Sequence, residues 1–205
     1  MIDLVFRDAL VVDGSGAEPL RGDVAVDRGR IVAVGPRLDL AAARTIDASG
    51  LAIMPGIIDS HTHFDAQITW DPTLSPSPAL GVTTAVIGNC GFTIAPCRPA
   101  DRELTMRNLT QVEGMSIDAL RAGIDWGFET FAEYMAQLRA RGSVANVAAY
   151  VGHSSVRTYV MGGDAARREA SAGEIAQMQA IVRDAMAHGA VGFASSTSPA
   201  HNGEG

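Results

Sequence analysis

The 205-residue chain is 47% hydrophobic with a formal net charge of −7, a composition typical of a folded globular protein. It has no apolar run near the roughly 18 residues that a membrane span needs, and its first residues lack the features of a secretory signal. We therefore expect a cytoplasmic protein without a membrane partner, and its acidic balance argues against binding nucleic acid.

The first fifty residues have the pattern of short strands joined by turns. Val24 and Val26 alternate with other residues, lead into a turn at Gly29, and are followed by a second apolar strand that includes Ile31 and Val34. Alternation around a glycine-bearing turn predicts a β-hairpin. A sheet of this size is too small to bury both faces and needs partners from elsewhere.

From Met54 onward the strands are continuously apolar, which is typical of a parallel sheet buried on both faces. The four runs are LAIMPGIID, VTTAVIG at 82–88, NVAAYVG at 146–152 and AVGFASS at 190–196. Helices are predicted after Thr130 and Ser171, and Ser171 with Glu174 has the spacing of a capping box. Strand and helix alternation favours either a doubly wound sheet or a barrel.

A closed barrel of this type has eight strands, whereas only four are recognisable here. We therefore predict an N-terminal part of a longer enzyme. Residues 1–54 would form part of a small β-sandwich domain, and residues 55–205 the first half, about four βα units, of a TIM-like (β/α)8 barrel. An open four-stranded sheet is the alternative.

Two histidines end the first apolar run of this barrel. Residues two apart on a strand point to the same side, so His61 and His63 can present both imidazoles to one metal ion. Asp59 is placed to accept a hydrogen bond from a ring N–H and so fix a tautomer, or simply to cap the strand.

The second run ends in Asn89 and Cys90, where the first placed its histidines. Carboxyl ends of parallel barrel strands converge on one face, so Cys90 is a candidate third metal ligand. The alternative is a buried small hydrophobe. We expect the flanking Gly88 and Gly91 to keep the thiol accessible, and Cys97 to be structural.

The third run is followed by His153 and Arg157, which are candidates for substrate binding, Arg157 as a bidentate clamp on a carboxylate. A surface ion pair is the other interpretation of Arg157. His201 is a further pocket candidate near the end of the chain. A serine nucleophile is disfavoured because no serine lies in a G-x-S-x-G motif.

Three stretches together are similar to a known family. VVDGSGAEPLRGDVAVDRGRIVAVG, MPGIIDSHTHFDAQITWDP and GVTTAVIGNCGFTIAPCRP resemble the amidohydrolase superfamily and, within it, the N-acyl-D-amino-acid deacylase (D-aminoacylase) group. The H-T-H motif alone indicates the superfamily, and G-V-T-T followed by G-N-C-G indicates the deacylases.

The resemblance implies that His61 and His63 bind zinc and that Cys90 binds it too and can bridge two metal positions, giving a centre of one or two zinc ions. Related hydantoinases and dihydroorotases bridge with a carboxylated lysine, but all sixteen basic residues here are arginine. Two later histidine ligands and an aspartate general acid/base are expected beyond Gly205. The 205 residues alone are therefore expected to be inactive.

The expected activity of the complete protein is hydrolysis of a non-peptide amide bond in a small molecule, an N-acylated D-amino acid, by a metal-bound hydroxide. One alternative keeps the fold and acts on cyclic amides of the hydantoin or dihydropyrimidine type. Another is a metal-free barrel that serves as a non-catalytic scaffold. The oligomeric state stays open.

Overall fold

The structure, a computed structural model, describes residues 1–198 and divides the chain into two compact units. The first unit is Met1–Gly56, and the second begins at Ile57. The sequence analysis placed this boundary after residue 54. That the first unit is part of a β-sandwich stays a prediction.

The first unit is a single five-stranded sheet with strand order β3-β2-β1-β4, in which β5 also pairs with β1. Strand β2 runs antiparallel to both β1 and β3, whereas β4 and β5 run parallel to β1. Arg28 and Gly29 both have positive φ, 47° and 71°, as in a type I′ turn, and they join the predicted hairpin. The strands are β1 (Ile2–Val11), β2 (Leu20–Asp27), β3 (Arg30–Gly35), β4 (Ala42–Asp47) and β5 (Ala52–Ile53).

The second unit contains a four-stranded parallel sheet in chain order, with helices in its connections. This arrangement is the first part of a (β/α)8-type barrel, as predicted. The strands are β6 (Ile57–Asp59), β7 (Val82–Ile87), β8 (Asn146–Gly152) and β9 (Gly192–Ala194). The helices are α1 (Arg102–Glu113), α2 (Ile117–Gly123), α3 (Phe131–Arg141), α4 (His153–Met161) and α5 (Ala172–Ala187).

One apolar run does not form the single buried strand that its sequence predicts. Residues 51–59 split into β5, which belongs to the first sheet, and β6, which begins the second. Pro55 lies in the break, where its missing N–H prevents a continuous ladder. Within the described residues, Ile57 and Ile58 of β6 are 48% and 65% exposed, and β6 lies at the edge of the four-stranded sheet.

The helices of the second unit cover a core to which β7 and β8 contribute Ala85, Ile87 and Val151. Both predicted helix starts are confirmed: Thr130 and Ser171 each form a capping box with the glutamate three residues later. No helix among residues 1–198 is long and apolar enough to cross a membrane.

Candidate metal centre

The two histidines lie just beyond the first barrel strand rather than on it. Strand β6 ends at Asp59, and His61 and His63 follow in an irregular segment with ring centroids 5.3 Å apart. The carboxylate Oδ1 of Asp59 accepts a hydrogen bond from the backbone N–H of His61 at 3.3 Å. Asp59 thus holds the backbone where the strand ends, which is the capping interpretation of this residue.

Cys90 reaches the histidines from the end of the neighbouring strand. It lies in a turn after β7 in which the Gly91 N–H donates to the Gly88 carbonyl at 3.1 Å. Its Sγ is 3.1 Å from Nε2 of His61, and the ligand atoms of His61, His63 and Cys90 all lie within 4.8 Å of one another.

This group fits zinc in both chemistry and spacing. Imidazole nitrogen and thiolate sulfur are the donors that zinc prefers in proteins. With bonds of about 2.0 Å to nitrogen and about 2.3 Å to sulfur, two ligand atoms of a tetrahedral zinc ion lie roughly 3.3–3.6 Å apart. The 3.1 Å between Cys90 Sγ and His61 Nε2 is close to this value, whereas the full spread of up to 4.8 Å has to shorten by side-chain rotation before all three atoms reach one ion.

The glycines beside Cys90 are required by the backbone of the turn that carries it. Gly88 and Gly91 both have a φ of +92°, a conformation that favours glycine. A Cβ at Gly88 would lie 2.5 Å from the Tyr150 carbonyl oxygen, and one at Gly91 would lie 2.7 Å from that of Ala194. The glycines therefore allow the turn and its close packing on the neighbouring strand ends, while the thiol itself is half-buried.

Three polar side chains that the sequence analysis did not assign to the site fasten the two ligand segments together. Thr62 is buried, and its hydroxyl donates to the Val86 carbonyl at 2.8 Å. Asp65, also buried, accepts a hydrogen bond from the Gly88 N–H at 3.1 Å. Asn89 Nδ2 donates to the Ser60 carbonyl at 3.0 Å. The sequence feature that could have pointed to these residues is their position: each is polar and lies within two residues of a proposed ligand, just after an apolar strand.

A cavity of about 210 Å³ adjoins Cys90. His153, the first residue of α4, lines it, with Nδ1 3.4 Å from the Ser195 hydroxyl. Burial, and secondarily the positive charge of Arg157, lowers the pKa of His153 from its ordinary value, which favours a neutral imidazole. The other lining residues include Phe92, Leu104, Asn108, Thr158 and Ser196.

Arg157 lines the same cavity, but two of its guanidinium nitrogens donate hydrogen bonds to backbone carbonyls. Its Nε donates to the Ala165 carbonyl at 2.7 Å, and Nη2 donates to that of Arg168. These bonds fasten the segment that follows α4. The predicted role of His153 and Arg157 in substrate binding stays a prediction.

The remaining candidates lie apart from the ligand group or outside the description. Cys97 is buried with its Sγ 3.3 Å from the Thr105 hydroxyl, and burial raises the pKa of its thiol to about 11. His201 lies outside the described residues.

Comparison with known proteins identifies the family. Residues 44–202 match the sequence model of the amidohydrolase family, so the chain belongs to that family. It is 38% identical over 193 residues to a D-aminoacylase of Alcaligenes xylosoxydans xylosoxydans, an alignment that covers 94% of this chain and 37% of that protein. An N-acyl-D-aspartate deacylase of the same organism is 36% identical over 195 residues, with 95% and 36% of the two chains covered.

Comparison with solved structures agrees with the assignment to the amidohydrolase family. A D-aminoacylase crystal structure that defines a novel subset of amidohydrolases has a TM-score of 0.80 and 37% identity, covering 98% of this chain and 40% of that one. An N-acyl-D-glutamate deacylase of Bordetella bronchiseptica, in complex with zinc and a phosphonate inhibitor, has a TM-score of 0.77 and 33% identity over 95% of this chain and 38% of that one. The chain thus spans two fifths or less of the length of these relatives.

Proposed function

We propose that the chain carries the first metal ligands of a zinc-dependent hydrolase that removes the acyl group from N-acylated D-amino acids. The observation that carries the proposal is the convergence of His61, His63 and Cys90 beyond the carboxyl ends of β6 and β7. The deacylase relatives, one of them bound to zinc, support the choice of metal and substrate class.

The role proposed for each side chain follows from its position in the site. When bound, zinc lowers the pKa of a coordinated water to about 7 and polarises the substrate carbonyl. The two imidazoles and the thiolate would hold the ion, and of these three side chains Cys90 also lines the cavity. His153 presents a neutral ring to the cavity, and Arg157 adds the positive charge that suits a substrate carboxylate.

Among residues 1–198, the ligand group contains no carboxylate that could move protons during hydrolysis. We therefore expect the 205 residues alone to bind metal without turning over substrate. A cyclic-amide substrate is less well supported, because the chain has no lysine to carboxylate as a bridging ligand.

The first test is elemental analysis of the purified chain after gel filtration. We expect zinc to elute with the wild type and to be lost in His61→Ala and Cys90→Ala, because each change removes one of three ligands. Cys97→Ala is the matched control, since its thiol lies outside the ligand group, and it should keep its zinc.

Equal metal content in all four proteins would contradict the proposed ligands. For the complete protein, activity on N-acetyl-D-amino acids and on hydantoins should be measured side by side. Hydrolysis of the hydantoins alone would replace the deacylase by the cyclic-amide enzyme, and activity that survives complete removal of zinc would rule out both.

A further inference from the structure

The ligand segments lie beyond the part of the sheet that would hold them in register. Pairing between β6 and β7 ends at Asp59 and Ala85. The histidines follow after residue 60, and Cys90 lies in a turn bounded by two glycines of positive φ. One backbone bond, from the Thr62 N–H to the Val86 carbonyl at 3.1 Å, ties the histidine segment to the end of β7. The Cys90 turn lies beyond that bond, and side-chain bonds join it to the histidine segment.

Asn89 makes the bond that lies nearest to both ligands. It immediately precedes Cys90, and its Nδ2 donates at 3.0 Å to the carbonyl of Ser60, which immediately precedes His61. The bonds of Thr62 and Asp65 are made to Val86 and Gly88, farther from the Cys90 thiol along the chain. The Asn89 amide is thus placed to set the separation of Cys90 Sγ and His61 Nε2, which is 3.1 Å.

We propose that Asn89 is a positioning residue of the metal centre, whose amide clamps the Cys90 turn to Ser60 and so brings a thiolate and an imidazole to one ion. This inference rests on the proposed metal binding. Partners of this kind around a metal site organise the ligands before the ion arrives, and losing one weakens metal affinity about 10- to 100-fold.

The test is titration of the metal-free complete protein with Co²⁺, followed by the near-ultraviolet absorption of thiolate-to-cobalt charge transfer. In Asn89→Ala we expect about 10- to 100-fold weaker binding and a smaller charge-transfer band per bound ion. A purely structural role would lower stability without changing the band. The unfolding midpoint of each metal-free variant is therefore measured alongside.

The chain offers a matched control at the opposite end of the same sheet. Asn146 begins β8, and its Nδ2 donates at 3.1 Å to the carbonyl of Thr83 in β7. Asn146→Ala removes the same kind of bond, far from the ligands along both strands, and should bind Co²⁺ as the wild type does. Asn89→Ser is the second variant, because serine suits a turn but is too short to reach Ser60.

The outcomes separate the two proposals. Wild-type affinity and band in both Asn89 variants would overturn the positioning role and leave the metal site intact. An equal loss in Asn146→Ala would also overturn it, since the effect would then be general. A wild-type chain without any thiolate-to-cobalt band would overturn the metal site itself, and the role of Asn89 with it.

Discussion

At the scale of single residues, the two cysteines are chemically distinct and report on the site independently. Alkylation requires the thiolate. Burial raises the pKa of Cys97 to about 11, so at pH 8 only about one Cys97 thiol in a thousand is ionised, and it is almost fully buried. Cys90 is half-buried and lies at the cavity.

We therefore expect iodoacetamide at pH 8 to modify Cys90 in the metal-free chain and to leave Cys97 unmodified. Saturating zinc should protect Cys90, because a coordinated thiolate is no longer free to attack. Peptide mass spectrometry locates the label, and Cys97 is the internal control. Cys90 labelling that zinc leaves unchanged would argue against ligation by its sulfur.

The proposed ligands could be picked out from the sequence, whereas the side chains that tie their two segments together could not. His61, His63 and Cys90 stand out because they are chemically distinctive and follow apolar strands. Asn89 and Asp65 are ordinary polar residues whose role depends on a carbonyl and an N–H that lie more than twenty residues away along the chain. Such contacts arise from strand pairing, which no local pattern encodes.

At the scale of elements, the turn that ends β7 controls where Cys90 points. A side chain at Gly88 would meet both an unfavourable φ of +92° and the backbone of Tyr150 at 2.5 Å, and backbone cannot rotate away. Gly114, which ends α1, has a φ of +66° with nothing within 4 Å of the added Cβ. Comparing substitutions at Gly88 and Gly114 therefore separates the cost of an unfavourable φ from the cost of a steric clash.

Gly114→Ala should lower the free energy of unfolding of the second unit by about 1–2 kcal/mol, the cost of a left-handed conformation. Gly88→Ala should cost clearly more, because the β7 turn must also move away from β8. Urea unfolding followed by tryptophan fluorescence measures both. An equal loss of unfolding free energy in the two variants would mean that the β7 turn can move away from Tyr150 at little cost, and that the close packing at Gly88 contributes little to stability.

The β6 segment shows why element boundaries were less predictable than element types. An unbroken apolar run predicts one strand, yet Pro55 divides residues 51–59 between two sheets. Hydrophobicity alone does not indicate which sheet a residue joins. Both predicted capping boxes were correct, since a cap is a local contact between residues three apart.

At the scale of the whole molecule, the alternation of apolar strands and capped helices predicted a parallel sheet with helical connections, in either a doubly wound sheet or a barrel, whereas the division into units depends on contacts between distant segments. The two units can be monitored separately by experiment. Trp70 and Trp126 are the only tryptophans in the chain, and both belong to the second unit. Tryptophan fluorescence therefore reports the unfolding of the unit that contains the ligand group.

Zinc that binds only the folded second unit must stabilise it, by about 2.7 kcal/mol when free zinc is a hundred times its dissociation constant. For a unit of this size, we expect the midpoint of thermal unfolding by fluorescence to rise by roughly 5–10 °C. His61→Ala should abolish the rise. His188→Ala should retain it, because His188 follows α5 with its Nδ1 2.8 Å from the Asp184 carbonyl and is outside the ligand group. A rise that persists in His61→Ala would contradict the proposed centre, and its loss in His188→Ala would place the zinc elsewhere.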